Sequence, residues 1–317
     1  MQSFARFAVV LAFLMLALPA RSYLLNYSGG NNRDHWASLP VGWNLNPKIN
    51  SNVQGSRSVA DVMASSFAAW TAVPNTAFSV ARGSDSARTS PGMDSQNLIC
   101  FVCAADFSGM DGSLAITLTT TATSVGADDG RGGKTQFVGQ ILDADILFNP
   151  SVAFSTDGSA AGQDLQTVAT HEIGHLFGLD HSAVVHAMMF PYAPDNEHRL
   201  AYDDAAAVAT LYPAAQAVPT FAIAGTVRLN GAAVFGAHVF AESQTAVEAF
   251  SAFNLRKSPI AGMSMTDGSY RIEGVPADSY VITAEPLDLP VDNSNIASFA
   301  SNFGKAAVQT NFTTRWH

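Results

Sequence analysis

The apolar residues of this chain recur at two different periods, and the change from one to the other falls near residue 214. From Val59 to Trp70, positions 59, 62, 63, 67 and 70 are apolar, which is the spacing of a helix with one buried face. Pro74 ends this helix, and residues 77–80 predict a strand after it. Further along the first part of the chain, the pattern predicts two strands, 113–118 and 141–148, and a closing helix, 200–212.

Beyond residue 213 the pattern becomes that of short strands. We interpret residues 214–220 as a linker, because they are small residues followed by Pro219. Asp267 and Gly268 predict a hairpin turn. The tail, residues 287–317, is rich in Asn and Ser, and it is either an added sheet edge or the end of a fragment. The predicted strands are 221–229, 233–241, 269–273 and 279–285.

The N-terminus predicts export. Arg6 precedes an apolar stretch from Phe7 to Leu18, and Ala20-Arg21-Ser22 fits the small-x-small cleavage rule, so we interpret residues 1–22 as a secretory signal peptide. An uncleaved anchor is the alternative, but the stretch is shorter than the about 20 residues that span a bilayer. We therefore expect a secreted protein with no membrane span after signal removal.

Composition narrows the partners and the domain count. The 317 residues are enough for two hydrophobic cores. A formal net charge of -10 leaves no basic footprint, which argues against nucleic acid as a partner. The sequence says nothing about the oligomeric state.

The candidate chemistry lies between His171 and His181. On a helix, positions four apart lie one turn above each other, so His171 and His175 can point at one metal ion. Gly178 stands where the helix should end and can adopt the left-handed conformation that turns the chain back, so that His181 becomes a third ligand. Three protein ligands leave a fourth position to water, as in catalytic zinc sites. Glu172 lies about 100° round the helix from His171, which suits a general base better than a ligand.

These residues match the pattern H-E-x-x-H-x-x-G-x-x-H, and the chain resembles the metzincin zinc peptidases. Ser182 and the segment 187–192 are similar to the matrixin branch, the peptidase family of the matrix metalloproteinases, and Met189 aligns with its methionine turn. The resemblance implies a zinc-dependent endopeptidase with one catalytic Zn²⁺, Glu172 as the general base, and a protein or peptide substrate. It also implies substrate contacts along an edge strand and in a pocket wall, at Leu114, Ala115, Ile116, Phe190, Pro191 and Tyr192.

The expected fold is α+β. The resemblance implies a metzincin-type catalytic domain over residues 23–213, with a twisted mixed sheet and three main helices. The pieces 223–227, 236–239, 266–272 and 274–280 resemble the carboxypeptidase regulatory-like module, which implies a small antiparallel β-sandwich over residues 221–288.

The chain also departs from the matrixins. Vertebrate-type members hold a second, structural zinc with histidines before the zinc helix, and no histidine lies between His35 and His171 here, so we expect no second zinc of that kind. Residues 128–133 offer carboxylates and turn glycines for Ca²⁺, but a solvated surface turn is the favoured interpretation. Asp143 and Asp145 receive the same surface interpretation. No cysteine precedes the catalytic domain, so latency through a prosegment cysteine is not supported.

Cys100 and Cys103 are the only cysteines. In an oxidising compartment the pair favours a disulfide, but positions three apart on a straight strand point to opposite faces, so the bond requires a turn between them. The sequence leaves open whether they pair, and a redox site or zinc knuckle is the lesser alternative.

Two other functions remain possible from the sequence. The first is a secreted binding or adhesion protein with a non-catalytic or latent metal site, although a structural site needs no Glu172. The second is another metzincin branch, serralysin-like or astacin-like, although Ser182 fits the matrixins. His186, His198 and His238 are expected to be surface or structural residues.

Overall fold

The structure is a computed structural model, and it describes residues 21–22, 25–103, 110, 112–193, 197–245, 259–304 and 307–316. Most of the predicted signal peptide, residues 1–20, lies outside the described residues. Arg21–Ser22 form a short strand, β1, which pairs antiparallel with a strand of the C-terminal part.

Three of the described helices lie in the first part of the chain: α1 (Val59–Thr71), α2 (Leu165–Leu176) and α3 (Tyr202–Leu211). The predicted helices near 59–70 and 200–212 are therefore confirmed. Among the residues that the structure describes, no helix is long and apolar enough to cross a membrane. Two short helical pieces occur later in the chain, α4 (Ala297–Phe299) and a π-helical turn (Ala300–Gly304).

Side chains cap the first two helices. Ser58 Oγ accepts a hydrogen bond from the Asp61 amide at 3.1 Å, and Asp164 Oδ1 accepts one from the Thr167 amide at 2.7 Å. Each cap satisfies a backbone N–H that has no partner inside the helix. The second cap defines where α2, the helix of the candidate metal site, begins.

The first part of the chain contains one mixed sheet of six strands in the order β4-β10-β8-β5-β7, with β9 added beside β10. All pairings are parallel except that of β9, which runs antiparallel to β10. Short strands outside this sheet pair in a three-stranded and a two-stranded ladder. The strands are β2 (Tyr27–Ser28), β3 (Asn32–Arg33), β4 (His35–Trp36), β5 (Val41–Leu45), β6 (Val53–Gln54), β7 (Val80–Arg82), β8 (Leu98–Cys100), β9 (Ala115–Thr121), β10 (Gln140–Phe148), β11 (Phe154–Ser155) and β12 (Gln163–Asp164).

Strands β9 and β10 confirm the two strands predicted at 113–118 and 141–148, with shifted ends. The strand predicted at residues 77–80 is wrong in position, since β7 starts only at Val80. The reason is tertiary: Thr76 Oγ1 and the Ala77 amide both donate to the Tyr212 carbonyl beyond α3. Phe78 is 3% exposed and packs on Phe177, so this segment seals the core instead of extending the sheet.

Asp143 and Asp145 are not surface residues as predicted, since each is 2% exposed. Both lie on β10, and two residues apart on a strand place them on one face. Asp145 accepts hydrogen bonds from the amides of Gly92 and Leu98, both at 2.8 Å, and Asp143 accepts from the amide of Ser95 at 3.2 Å. The two carboxylates therefore hold the loop before β8 against the sheet.

Cys100 and Cys103 form a disulfide with Cα atoms 5.6 Å apart. The sequence left this pairing open because it requires a turn. Strand β8 ends at Cys100, and the chain leaves the sheet there.

The C-terminal part contains a five-stranded antiparallel sheet in the order β1-β17-β16-β19-β20, together with two-stranded ladders β13-β18 and β14-β15. The strands predicted at 269–273 and 279–285 appear as β18 and β19 with shifted ends. The strand predicted at 221–229 is split into β13 and β14, the one at 233–241 is interrupted between β15 and β16, and β17 was not predicted. Strand β20 of the tail lies at one edge of this sheet, which agrees with the first of the two interpretations of the tail. The strands are β13 (Phe221–Thr226), β14 (Arg228–Leu229), β15 (Ala232–Ala233), β16 (His238–Ser243), β17 (Ile260–Met263), β18 (Ser269–Val275), β19 (Tyr280–Glu285) and β20 (Arg315–Trp316).

The predicted hairpin turn at Asp267 and Gly268 needs a correction. Gly268 has φ +80, and its amide donates to the Met265 carbonyl at 2.8 Å, so a tight turn is present. However, β17 pairs with β1 and β16, whereas β18 pairs with β13. The turn therefore passes the chain from one sheet to another.

The two parts of the chain share one hydrophobic core. Ala205 and Ala206 of α3 belong to the same buried apolar cluster as Val239 and Ile272 of the C-terminal strands. Polar contacts cross the same boundary, including a hydrogen bond of 2.5 Å from the Tyr202 hydroxyl to the Gly274 carbonyl. The C-terminal part is thus packed directly against the helix that follows the candidate metal site.

Candidate metal centre

Helix α2, which packs beside β9 and β10, carries His171, Glu172 and His175, and the following turn adds His181. One ligand atom from each of the three histidines lies within 4.8 Å of the others. Gly178 makes this possible because it has φ +101, and a Cβ on it would lie 2.0 Å from the Asp34 carbonyl oxygen. The position therefore requires glycine both for its backbone conformation and for space.

Hydrogen bonds fix the tautomer of each histidine. A backbone carbonyl can only accept, so each Nδ1 that contacts one must carry the proton and leave Nε2 with a free lone pair. The Nε2 atoms of His171 and His175 lie 3.1 Å apart. The three carbonyl partners are Met188 for His171 at 2.7 Å, Leu179 for His175 at 2.8 Å and Asn295 for His181 at 2.9 Å.

The surroundings keep these rings neutral. Burial, followed by repulsion from His181, lowers the pKa of His171 to about 3, and burial is also the main cause of the lowered pKa of His175 and His181. Two unprotonated nitrogens that face each other repel unless a cation lies between them. Three neutral imidazoles, each held through its other nitrogen, are the donor set that Zn²⁺ prefers, so the residues fit zinc.

Glu172 lies beside the histidines with 6% of its surface exposed. Its Oε2 accepts a hydrogen bond of 2.7 Å from the Thr117 hydroxyl, which also donates to the Glu172 carbonyl at 3.0 Å. Burial raises the pKa of Glu172 to about 7, and the bond from Thr117 opposes that rise. A carboxylate with such a pKa can exchange a proton near neutral pH.

The floor beneath the histidines is apolar. Met189 is 1% exposed and packs directly on Gly174. A Cβ atom added to Gly174 would lie only 2.2 Å from Met189 Sδ. The same added Cβ would lie 2.9 Å from Cζ2 of Trp70 on α1. The Trp70 indole N–H donates a hydrogen bond of 2.8 Å to the Thr170 carbonyl. Met189 therefore packs against α2 between the two helical histidines.

Asp204 holds the turn that carries this methionine. Its carboxylate accepts hydrogen bonds from the amides of Met188 at 2.7 Å, Met189 at 3.0 Å and Ala201 at 2.8 Å. Burial, followed by the charge of Asp203, raises the pKa of Asp204 to about 7. The contacts of Asp204 with the methionine segment were not predicted from the sequence.

A cleft of about 790 Å³ opens onto the three histidines and Glu172. Five of the six predicted substrate-contact residues line it, namely Leu114, Ala115, Ile116, Pro191 and Tyr192. The sixth, Phe190, is 7% exposed and belongs to an apolar cluster with residues of the C-terminal part.

Four residues of the site were not predicted from the sequence: Thr117, Gly174, Asp204 and Asn295. Gly174 is the only one with a local signal, because a glycine inside a helix costs about 1 kcal/mol relative to alanine and so requires a packing reason. The other three lie far from the histidines along the chain, and only the fold brings them near.

His186 is exposed, and His198, His238 and the acidic loop have partners of their own. His198 lies 2.7 Å from Asp164, and the buried His238 lies 3.0 Å from Glu285. In the loop 128–133, Asp129 Oδ1 accepts hydrogen bonds from the Arg131 and Gly133 amides at 2.9 and 2.8 Å. Calcium at this loop and the absence of a second zinc both stay predictions.

The structure has a mixed, mostly parallel sheet, a helix with two histidines, a glycine turn to a third and a buried methionine beneath them, which is the arrangement that the resemblance to the metzincins implies. Residues 113–213 match the family model described as Matrixin. Within these residues the chain is similar to the matrixins.

Individual relatives are similar to stretches of this chain. The chain is 48% identical over 67 residues to karilysin of Tannerella forsythia, which covers 21% of this chain and 14% of karilysin. It is 40% identical over 86 residues to the hatching enzyme of Paracentrotus lividus, with 26% and 14% covered, and 39% identical over 93 residues to the macrophage metalloelastase of Oryctolagus cuniculus, with 27% and 20% covered. The chain thus spans no more than about a fifth of the length of these relatives.

Proposed function

We propose that this protein is a secreted zinc endopeptidase in which Glu172 is the general base. The observation that carries the proposal is the convergence of three histidine Nε2 atoms, each with its Nδ1 committed to a carbonyl, beside a buried carboxylate. Matrixin-like relatives with names such as metalloelastase and metalloendoproteinase support the same activity.

When bound by His171, His175 and His181, zinc supplies a Lewis acid that polarises the scissile carbonyl and lowers the pKa of water towards 7. Glu172 then takes a proton from the attacking water, whose oxygen forms a bond to the carbonyl carbon. The C–N bond breaks as Glu172 passes that proton to the leaving amine. Thr117 holds the carboxylate in position during both transfers.

The substrate would lie along β9. Within the described residues, β9 pairs only with β10, so its other edge has backbone groups available for an extended peptide. Leu114, Ala115 and Ile116 begin this edge, and Pro191 and Tyr192 also line the cleft. Main-chain pairing gives affinity for many sequences, and the lining gives selectivity.

Export and the accessory module complete the proposal. Residues 1–22 would direct export and be removed, which would take β1 from the five-stranded sheet. Residues 221–288 would form a carboxypeptidase regulatory-like β-sandwich, supported by the antiparallel strands β17, β16 and β19 and by the β13-β18 pair. A binding or adhesion protein with an inert metal site is disfavoured, because such a site has no use for a buried carboxylate beside its open side.

The test is hydrolysis of quenched-fluorescent casein and gelatin by the purified chain, with bound zinc quantified. Glu172→Gln keeps the size of the side chain and an acceptor for Thr117 but removes the base. We expect a loss of at least about 100-fold in kcat/KM with zinc content unchanged. The matched control is Glu242→Gln, an exposed carboxylate on β16, which should cut at the native rate.

The native chain should lose activity to a chelator and regain it with Zn²⁺. A zinc-loaded native chain that cuts no substrate in the panel would count against the peptidase function. Equal activity in the native chain and Glu172→Gln would contradict the role of Glu172 instead.

A further inference from the structure

The candidate zinc site is completed by a segment that lies more than 100 residues beyond it. His181 Nδ1 donates a hydrogen bond of 2.9 Å to the Asn295 carbonyl, although the two residues are 114 positions apart. The other two histidines find their carbonyl partners at 188 and 179, close to the site in sequence. Only the third ligand depends on the C-terminal part for its orientation.

The Asn295 carbonyl is held firmly in place. Asn295 and Asp292 form a closed turn, because the Asp292 amide donates to Asn295 Oδ1 at 2.8 Å and the Asn295 amide donates to the Asp292 carbonyl at 3.1 Å. The Val308 amide donates to the side chain of Asn293 at 3.0 Å and ties the turn to the tail. Asn295 itself lines the cleft, so the turn forms part of its wall.

An apolar anchor fixes this turn to the catalytic part. Ile296, directly after Asn295, is fully buried, as is Phe299 at 1% exposure. They belong to one cluster with Phe190, which lies in the segment that follows the third histidine. Because interiors are close-packed, a change in this cluster is transmitted to the carbonyl beside it.

A second set of hydrogen bonds links another C-terminal strand, through Asp203, to the residue after His181. The Ala261 amide on β17 donates to Asp203 Oδ1 at 2.9 Å, and Ser182 Oγ donates to Asp203 Oδ2 at 2.7 Å. Ser182 immediately follows His181. The C-terminal part therefore contacts the third ligand directly and is linked to the next residue through Asp203.

We infer that the C-terminal part is a structural component of the zinc site, and that the Asn295 carbonyl is a positioning group for His181. A partner that fixes the tautomer and the ring orientation of a ligand raises metal affinity, and the loss of such partners typically costs about 10–100-fold. Without the C-terminal segment, His181 would have neither a fixed proton position nor a fixed ring plane. The inference rests on the proposed function only in assigning zinc to the three histidines.

The test measures Zn²⁺ affinity of the full chain by competition with a chromophoric chelator. Ile296→Ala loosens the anchor beneath Asn295, and we expect it to weaken Zn²⁺ binding about tenfold or more. Leu289→Ala, at an 81% exposed position of the same segment, is the matched control and should bind as the native chain does. Ile296→Val keeps most of the packing and should restore most of the affinity.

A second background separates positioning from general destabilisation. In His181→Ala, zinc is held by two histidines, and there Ile296→Ala should change the affinity by no more than about twofold. The absorption spectrum of the Co²⁺-loaded chain should also change with Ile296→Ala and not with Leu289→Ala. Amide exchange of β16 and β19 checks that the sheet remains folded in each variant.

The inference would be overturned if Ile296→Ala weakened Zn²⁺ binding equally in the native and His181→Ala backgrounds. It would also be overturned if Ile296→Ala bound Zn²⁺ with native affinity although the apolar cluster around Phe299 had changed. Neither result bears on peptide hydrolysis, because affinity and the Co²⁺ spectrum are read without a substrate. Conversely, a chain that shows the expected coupling but cuts nothing would leave the inference intact and remove the proposed activity.

Discussion

Gly174 provides a sharp prediction, because a general rule about helices and the packing of this one give opposite answers. In an open helix, Gly→Ala stabilises by about 1 kcal/mol. In α2, however, the added Cβ would lie 2.2 Å from Met189 Sδ and 2.9 Å from Trp70 Cζ2. Carbon atoms in contact prefer about 3.5–4.0 Å, so the neighbours must move or the helix must shift.

The neighbours have little room to move. Trp70 is fully buried and hydrogen-bonded to Thr170, and Met189 is 1% exposed. A Cβ–Sδ distance of 2.2 Å places the cost in the upper part of the about 1–3 kcal/mol range for overpacking, at about 2–3 kcal/mol, and the favourable helix term offsets about 1 kcal/mol of this cost. We expect Gly174→Ala to destabilise the chain by about 1–2 kcal/mol, which lowers Tm by roughly 2–8 °C in a domain of this size.

The assay is thermal and urea unfolding of the zinc-loaded chain. Gly42→Ala is the control, because a Cβ on Gly42 meets nothing within 4 Å and its φ is not positive; it should be neutral or slightly stabilising. In a Met189→Ala background the cost of Gly174→Ala should shrink or change sign, giving a coupling of about 1 kcal/mol or more. A Gly174→Ala chain as stable as the native one would refute the reasoning.

Three further predictions follow from single contacts. Thr117→Val removes the hydrogen bond to Glu172, and kcat should fall about tenfold at unchanged zinc content; an unchanged kcat would show that the carboxylate needs no such support. Asp143→Asn removes a carboxyl group whose pKa burial raises from 3.8 to about 7. The protonated Asp143 therefore stabilises the native chain below pH 3.8, and this stabilisation is lost as the pH rises through 7. Relative to the native chain, the unfolding free energy of the variant should increase by up to about 4 kcal/mol between pH 4 and pH 8. A difference in unfolding free energy that is the same at both pH values would contradict this. Asp204→Ala leaves three backbone amides without their acceptor, so we expect a loss of about 3 kcal/mol or more in urea unfolding, whereas a loss below 1 kcal/mol would mean that the Met189 turn holds itself.

The sequence predicted most where the relevant residues are close together along the chain. All three ligands and Glu172 fall within eleven consecutive positions, 171–181, and helix geometry with one glycine turn is enough to bring them together. The main helices were predicted in the same way, because their apolar spacing is a local property. The disulfide was left open because it depended on where β8 ended.

The wrong predictions share a different cause. Residues 77–80 have the composition of a strand, but contacts with Tyr212 take residues 76–78 out of the sheet. Asp143 and Asp145 have the composition of a surface, but the loop before β8 folds over them and supplies backbone amides. The turn at Gly268 was predicted correctly as a turn, and its topology was wrong because strand pairing is not local.

By itself, the sequence therefore determined the chemistry of the site: which side chains are present, their spacing on one helical turn, and the glycine that reverses the chain. The tertiary structure decided how that chemistry is supported. Thr117 on the edge strand holds Glu172, and Asn295 in the distant C-terminal segment holds His181. The physical reason is that a hydrogen bond to a backbone carbonyl or a hydroxyl needs only proximity, and proximity across 55 or 114 residues arises from the packing of sheets and helices, which no local pattern encodes.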